Sequence, residues 1–281
     1  MATQKLKRFS EILREDGPRT ALNSTISFVR SQTAESWHRR KNQVQHRVQY
    51  GGTAPDPDQL IYIDPTNIDW LIVPRYIEPE KYATYVRGGD WDKAYSDKNI
   101  DYMGTSEGYD NPENPELIQI DNWTFYQSLR NHFVDGVSWE ETEIFEILVK
   151  EYCRPGSRWG HSEETVLSRL SEVESLYQDM DRNGYFTQAQ LHSRDNVYLN
   201  PPSDKKDEIL VNIGRDGEII FCTGRHRFCV ARILGIDQIP ARVHVRHAQW
   251  QKHRHRICEN SPTCKHADDK NVNHPDMVDL I

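Results

Sequence analysis

The clearest periodic pattern in the chain is a helical one between Ser162 and Gly184. Apolar side chains recur there at steps of four, three, four and three residues, which places them on one face of a helix. Ser162 is a residue type that caps helix starts, and Gly184 is a type that follows the last turn. We predict a long helix whose apolar face packs on a sheet or another helix through Val166, Leu170, Val173, Tyr177 and Met180.

A β-hairpin pattern follows a polar stretch at residues 192–207, which is predicted to be a loop. Two short runs rich in apolar residues, 209–213 and 218–222, stand on either side of Asp216 and Gly217. An Asp-Gly pair between two such runs is a strong signal for a tight turn. The sequence therefore predicts two antiparallel strands.

A second helix and a further strand are predicted after the hairpin. The helix runs from about Arg225 to Leu234 and ends at Gly235, with Ile236 placed for the apolar contact that follows such an ending. An alternation beyond Pro240 then predicts a strand. Its apolar members are Ala241, Val243 and Val245, and its polar members are Arg242, His244 and Arg246.

The first 160 residues give weaker signals. A short strand is predicted at 60–63, ended by Pro65. Ser138 and Glu141 form a capping-box pattern, which predicts a helix through about Lys150. The core positions of that helix would be Trp139, Ile144, Phe145 and Leu148.

Charge and composition divide the chain into four parts. Residues 1–50 hold ten Lys/Arg and four acidic residues, and we expect a basic arm with two short amphipathic helices. This arm could contact an anionic membrane surface, a nucleic acid or the acidic body of its own chain, or simply be solvated. The other parts are an α/β region of unknown role at 51–160, a compact domain at 161–248 and a tail with His and Cys at 249–281.

The composition of the whole chain disfavours several classes of protein. A mean hydropathy of -0.81, with no apolar run of membrane-spanning length and no signal-peptide pattern, leads us to expect a soluble, cytoplasmic protein without a membrane span. The net charge of -8 argues against a general nucleic-acid binder. Five scattered cysteines fit reduced thiols better than a disulfide framework.

The junction between the hairpin and the second helix carries the most specific chemistry. A strand that passes through Gly224 into a helix start directs unpaired amides and the positive end of the helix dipole at one point. Gly224 would let a ligand approach the backbone, and Thr223 could cap the helix or bind an oxygen. Charge-assisted donors follow at Arg225, His226 and Arg227. These features predict a phosphate site.

The residues around this junction resemble the signature of the ParB/sulfiredoxin superfamily. The stretch 215–227, continued through Leu234-Gly235 and Ile239-Pro240, is similar to one of its conserved blocks. The stretch 181–188 is similar to its first box, in which a helix stops at Gly before a nucleotide-contacting loop. The likeness covers less than a third of the chain. It implies an α+β fold, a small mixed sheet with packed helices, preceded here by the less regular N-terminal region.

The resemblance also implies a function and a site. We expect a nucleoside triphosphate, ATP or CTP, bound with its phosphates over the helix that begins at Arg225, accompanied by Mg²⁺. The candidate reactions are phosphoryl transfer and nucleotide hydrolysis, with His226 as the best candidate for a catalytic group. The residues implied to bind the nucleotide or phosphate are Thr223, Gly224, Arg225, His226, Arg227, Gly184 and Gln188.

The chain departs from each of the better-defined branches of that superfamily. Arg225 stands where sulfiredoxins have their catalytic cysteine, and Thr223 stands where the kinases of free serine have Asp. Partition proteins continue into a helix-turn-helix, whereas the residues after Ala248 show no convincing helix pair. Two alternatives stay open: a non-catalytic module for a phosphorylated metabolite or nucleotide-sugar, and a DNA-associated ParB-like protein without a helix-turn-helix. A small phosphorylated ligand is the expected partner, nucleic acid is not favoured, and the oligomeric state is not predicted.

Acidic side chains leave two interpretations of the junction open. Asp207 and Glu208 could pair with His226 and Arg227, which would make the junction structural. The same two carboxylates are candidates for binding the Mg²⁺ that accompanies a nucleotide.

Two further groups of residues have the chemistry of a site. The run 88–92, Gly-Gly-Asp-Trp-Asp, could bind a sugar or a metal-bound phosphate, but a plain turn with a buried Trp91 is favoured. In the tail, a solvated segment is favoured over a zinc site formed by His253 or His255 with Cys258, Cys264 and His266.

Overall fold

A computed structural model describes residues 37, 39–73, 83–97, 115–153, 162–191, 208–259 and 273–280. Across these residues the chain forms a mixed eight-stranded sheet with helices packed against it, which confirms the predicted α+β class. The strands are β1 Leu60–Ile63, β2 Trp70–Val73, β3 Tyr85–Arg87, β4 Tyr95–Ser96, β5 Glu116–Gln119, β6 Ile209–Ile213, β7 Ile219–Thr223 and β8 Ile239–His247.

The sheet has the strand order β1-β8-β6-β7-β2-β5-β4, with β3 also paired to β8. β6 and β7 are antiparallel and joined through Asp216 and Gly217, so the predicted hairpin is confirmed. β6 runs parallel to β8, and β7 runs parallel to β2. Strands from the regions before and after residue 161 therefore share one sheet.

The described helices are α1 at 39–50, α2 Thr124–Phe133, α3 Glu143–Tyr152, α4 Glu163–Asn183, α5 Gln188–Leu191, α6 Arg225–Leu234 and α7 Ala248–Glu259. α4 confirms the predicted long helix. The Thr165 amide donates to Ser162 Oγ at 3.3 Å, and Gly184 follows the last turn with a φ of 75°. The predicted stripe is buried except for Tyr177, which is partly buried.

α6 has the predicted bounds because a glycine stands at each end. Gly235 has φ 64° and ψ 38°, a left-handed conformation that side chains disfavour. Its amide donates to carbonyls of the last turn, and the Ile236 amide donates to the Ala231 carbonyl at 3.0 Å. This is the predicted helix ending with its apolar follower.

The capping box predicted at Ser138 is wrong. Ser138 Oγ donates to the Glu141 carboxylate at 3.1 Å instead of accepting a helix amide, and Trp139–Glu141 forms a separate 3₁₀ turn. The α-helix begins at Glu143, after Thr142. The Thr142 hydroxyl bonds back to the Trp139 carbonyl, which separates the short turn from the helix.

The last strand, β8, is longer than predicted and is buried along its whole length. Apolar and polar residues alternate along β8 as predicted, but the polar side chains are also buried against protein. Arg242 Nε donates to the Pro57 carbonyl at 2.9 Å, and Arg246 binds Asp276. The tail therefore folds back along the strand, because the 3₁₀ helix Pro275–Leu280 supplies Asp276.

Two apolar layers enclose the sheet. One face packs under α2, α3, α4 and α6, and it includes Ile118, Val211 and Phe221. The other face carries Leu210, Ile220 and Cys222 beneath the segment that contains Trp91. The predictions for the arm within residues 1–36 and for the loop at 192–207 lie outside the described residues. Within the described ranges, no helix combines the length and the apolarity needed to cross a membrane.

Candidate functional site

The start of α6 is held against β6 by a tight backbone contact at Gly224. This residue has φ 99° and ψ 31°, and a Cβ added to it would lie 2.9 Å from Ile209 Cγ1 and 3.2 Å from Ile209 Cα. Glycine is therefore required here by conformation and by packing within the protein. Gly224 is the N-cap, so of the two roles suggested for Thr223 the helix cap is not observed. Glycine has no side chain to accept a hydrogen bond from the amides of the first turn.

Phe125 of α2 forms one wall of the site. The Arg225 guanidinium carbon lies 5.5 Å from the centroid of the Phe125 ring, within cation–π range. The His226 ring meets the same phenyl group edge to face, with centroids 5.3 Å apart. One aromatic side chain therefore orients two of the predicted site residues.

The charge state of His226 is set by its surroundings. Burial lowers the pKa of His226 to about 3, and the neighbouring charges of Arg225 and Arg227 act in the same direction. The ring is therefore neutral near pH 7. A pKa this low makes the neutral ring a weak base and leaves no imidazolium proton to transfer at neutral pH, so the acid–base role considered from sequence does not suit it. Donation of a hydrogen bond from the ring N–H does suit it.

A buried carboxylate joins the start of α5 to the first turn of α6. Glu208 is 4% exposed, and its Oε1 accepts a 2.6 Å hydrogen bond from the backbone amide of Gln188. Its Oε2 lies 3.6 Å from Arg227 Nη1. The alternative pairing of Arg227 with Glu208 is therefore present, while Asp207 lies outside the described residues.

Tyr185 completes this side of the site. Burial raises the pKa of Tyr185 to about 12, and the charge of Arg227 opposes that rise. The phenol therefore lies close enough to Arg227 for their electrostatic interaction to matter. It is protonated at neutral pH and keeps its O–H donor.

The predicted site residues fall into two groups that the fold brings together. The first group, at the start of α6, consists of Thr223, Gly224, Arg225, His226 and Arg227. The second group consists of Gly184, which ends α4, and Gln188, which begins α5. The backbone amide of Gln188 donates to Glu208, and Glu208 in turn faces Arg227 of the first group. The side chain of Gln188 is buried.

Sequence reasoning missed Tyr185 and Phe125. Tyr185 lies directly after Gly184, inside the segment that resembles the first box, so its position was a usable signal. Phe125 lies on a helix with no motif, and only the packing of α2 on α6 brings it to the site.

The surroundings of Glu208 do not suit the role of Mg²⁺ ligand that the sequence suggested for it. One of its oxygens accepts the Gln188 amide and the other faces the Arg227 guanidinium. A divalent cation at that carboxylate would stand next to the arginine charge. In the part of the chain that the structure describes, no three His, Cys, Asp or Glu side chains are grouped as a metal site.

The Gly88–Asp92 run is a turn attached to the hairpin. Arg215 Nη2 lies 2.7 Å from Asp90 Oδ1 and 2.6 Å from Asp92 Oδ1, and the Arg215 amide donates to Asp92 Oδ2 at 2.6 Å. Burial opposes ionisation of Asp92, but the bonds from Arg215 still lower its pKa. With Trp91 only 6% exposed, the predicted turn with a buried tryptophan is confirmed.

A cationic cavity of about 760 Å³ lies along α7. Its lining includes Arg215 and Asp216 of the hairpin turn, which precede β7, whereas α6 follows β7. The cavity is therefore at the other end of that strand from Gly224. In the tail, His255 Nδ1 lies 3.0 Å from Thr53 Oγ1, while Cys264 and His266 of the zinc prediction lie outside the described residues.

No protein-family model, curated protein or solved structure matches this chain.

Proposed function

We propose that this protein binds a nucleotide, or another phosphorylated ligand, at the start of α6. The observation that carries the proposal is the meeting of two distant segments, 184–188 and 223–227, around Glu208. Arg227 lies in the first turn of α6 and interacts with Tyr185. No side chain of Gly224 caps the backbone amides of that turn. The resemblance to the ParB/sulfiredoxin superfamily supports the same ligand class.

Backbone amides and side chains of the first turn of α6 would both donate hydrogen bonds to the phosphate oxygens. Backbone amides there carry the positive end of the helix dipole and favour an anion. Arg225 and Arg227 would add charge-assisted hydrogen bonds, and neutral His226 would donate one N–H. The phosphate would therefore contact backbone and side chains of one short segment.

Arg227 would exchange partners when the ligand binds. Its Nη1 lies 3.6 Å from Glu208 Oε2, which is an ion pair without the short distance of a strong hydrogen bond. A phosphate over the helix start offers the guanidinium more negative charge than one carboxylate does. In this account Glu208 holds Arg227 in place until the ligand arrives.

Binding without catalysis is the function that the site supports best. Thr223 supplies a hydroxyl where a carboxylate base would be needed, and the low pKa of His226 makes its neutral ring a weak base. Phosphoryl transfer and nucleotide hydrolysis need a base or a metal to activate the attacking group. A measurement of phosphate release alongside binding separates an enzyme from a binding module.

Calorimetry with ATP, CTP and GTP, each with and without Mg²⁺, tests the proposal. We expect at least one nucleotide to bind, and Arg227→Gln to weaken that binding by about tenfold or more. Arg169→Gln is the matched control, because Arg169 is an exposed arginine of α4 paired with Glu172. Absence of binding by all three nucleotides, or an equal effect of both variants, would contradict the proposal.

Glu208→Gln tests the exchange of partners. The amide keeps an acceptor for the Gln188 amide but no longer holds the Arg227 charge. We expect nucleotide binding to be retained or strengthened in this variant. Loss of nucleotide binding would instead indicate that Glu208 contacts the ligand or its Mg²⁺, and it would contradict the account.

A further inference from the structure

Helix α1 places three polar side chains toward the protein and both of its valines toward solvent. Asn42, Gln43 and His46 are partly buried, whereas Val44 is 62% exposed and Val48 is 85% exposed. A helix that packs on a protein core buries its apolar face. The exposed valines of α1 therefore indicate a surface that contacts a partner outside this sheet.

Four exposed residues of this side, three of them apolar, form a line along the helix. Trp37 is also helical, two residues before the continuous range of α1. It precedes Lys41, Val44 and Val48 at steps of four, three and four residues, so the four share one face, here called the outward stripe. Trp37 is 59% exposed. Lys41 Nζ lies 5.3 Å from the centroid of the Trp37 ring, which keeps the cation on the same face.

Cations accompany the outward stripe. Arg40 and Arg47 are exposed and lie along one border of it, seven residues apart. The residues 37–50 include four Lys/Arg and no acidic residue, although the chain as a whole has a net charge of -8. Arg39 points the other way and pairs with Asp58. The outward face of α1 is thus mainly apolar, with Lys41 within the stripe and two arginines along one border, in a chain whose net charge is negative.

We propose that the outward stripe of α1 binds the surface of an anionic lipid bilayer. Indole and valine side chains would enter the headgroup region while Arg40, Lys41 and Arg47 contact lipid phosphates. A nucleic-acid backbone fits less well, because it would place phosphates against the apolar centre of the stripe. Two copies of the same face would bring their cations together, which disfavours self-association through it.

The lipid contact is independent of the proposed nucleotide site. α1 meets the remainder of the protein near α7, where the Tyr50 ring lies 6.3 Å from that of His255. The nucleotide site is at the start of α6, formed with Phe125 and the turn before α5. Either proposal could fail without affecting the other.

Flotation of the full chain with large unilamellar vesicles tests this proposal. We expect binding to vesicles of equimolar phosphatidylglycerol and phosphatidylcholine, much weaker binding to pure phosphatidylcholine, and release by salt. The double variant Val44→Gln/Val48→Gln should lower partitioning by about tenfold without any change of charge. Val278→Gln is the matched control, because Val278 is 70% exposed but lies outside α1.

A second double variant tests the cations. Arg40→Gln/Arg47→Gln should lower partitioning to anionic vesicles by at least about tenfold and should flatten its salt dependence. Circular dichroism checks that both double variants keep their helix content. Absence of binding by the full chain, equal binding to both kinds of vesicle, or valine variants that bind as the wild type does would overturn the proposal. A change of oligomeric mass in the valine variants without a change in vesicle binding would also overturn it.

Discussion

At the scale of single residues, packing determines the properties of the candidate site as much as charge does, as Gly224 and His226 show. Gly224 is a glycine because its φ is 99° and because Ile209 fills the space beside it. His226 is neutral because burial and two arginines oppose its protonation. Both facts belong to the folded protein, so the sequence pattern that suggested these residues could not distinguish a ligand role from a packing role.

Gly224→Ala should lower the free energy of unfolding by about 2 kcal/mol. The new methyl group would meet Ile209, in a backbone conformation that side chains disfavour. Chemical denaturation measures the change. Gly136→Ala is the comparison, because Gly136 has φ 73° with no atom within 4 Å of its added Cβ, so it reports backbone strain alone. Equal losses in both variants would contradict the predicted clash.

The depressed pKa of His226 predicts a loss of stability in mild acid. The unfolded chain takes up a proton near pH 6.5, whereas folded His226 resists protonation to about pH 3. Stability from this residue is therefore present above pH 6.5 and falls as the pH drops, by up to about 1.4 kcal/mol per pH unit. His226→Phe should reduce the slope of unfolding free energy between pH 6 and 4. An unchanged slope would show that the ring protonates as readily in the folded state.

At the scale of elements, the C-terminal turn is attached to the sheet by buried ion pairs. Asp276 is fully buried, and it accepts hydrogen bonds from Arg246 of β8 and from the Trp250 indole of α7. Arg254 Nη1 lies 3.2 Å from the same carboxylate. One side chain of the tail therefore joins β8, α7 and the turn Pro275–Leu280.

Asp276→Asn should destabilise the protein by about 3 to 5 kcal/mol, because two buried guanidinium groups lose their main counter-charge. Urea denaturation measures the loss. Asp279→Asn serves as the control, since the Asp279 side chain is 27% exposed and binds Arg254 at 2.8 Å. A similar effect of the two substitutions would contradict the central role of Asp276.

The elements that could be predicted are those with local signals. α6 has Gly224 and Gly235 at its ends, α4 has Ser162 and Gly184, and the hairpin has its Asp-Gly turn. The start of α3 was misplaced because Ser138 bonds to a side chain rather than to a helix amide. The burial of Arg246 in β8 could not be foreseen, because its partner Asp276 lies in a turn thirty residues further along the chain.

At the scale of the whole molecule, non-local pairing decides the architecture. β7 pairs in parallel with β2, through the register of Leu71 with Phe221, and β2 continues the sheet to β5. No local pattern predicts that pairing. The pairing of Arg227 with Glu208 was considered from sequence, but its link to Gln188 required the fold. The two predicted halves of the candidate site meet only in the folded sheet.

A structure of the protein with bound nucleotide tests the central claim most directly. The account predicts phosphate oxygens within about 3 Å of the first backbone amides of α6. It also predicts that the Arg227 guanidinium has moved from Glu208 toward the phosphate. A nucleotide bound instead in the cationic cavity along α7, with the Arg227–Glu208 pair unchanged, would contradict it.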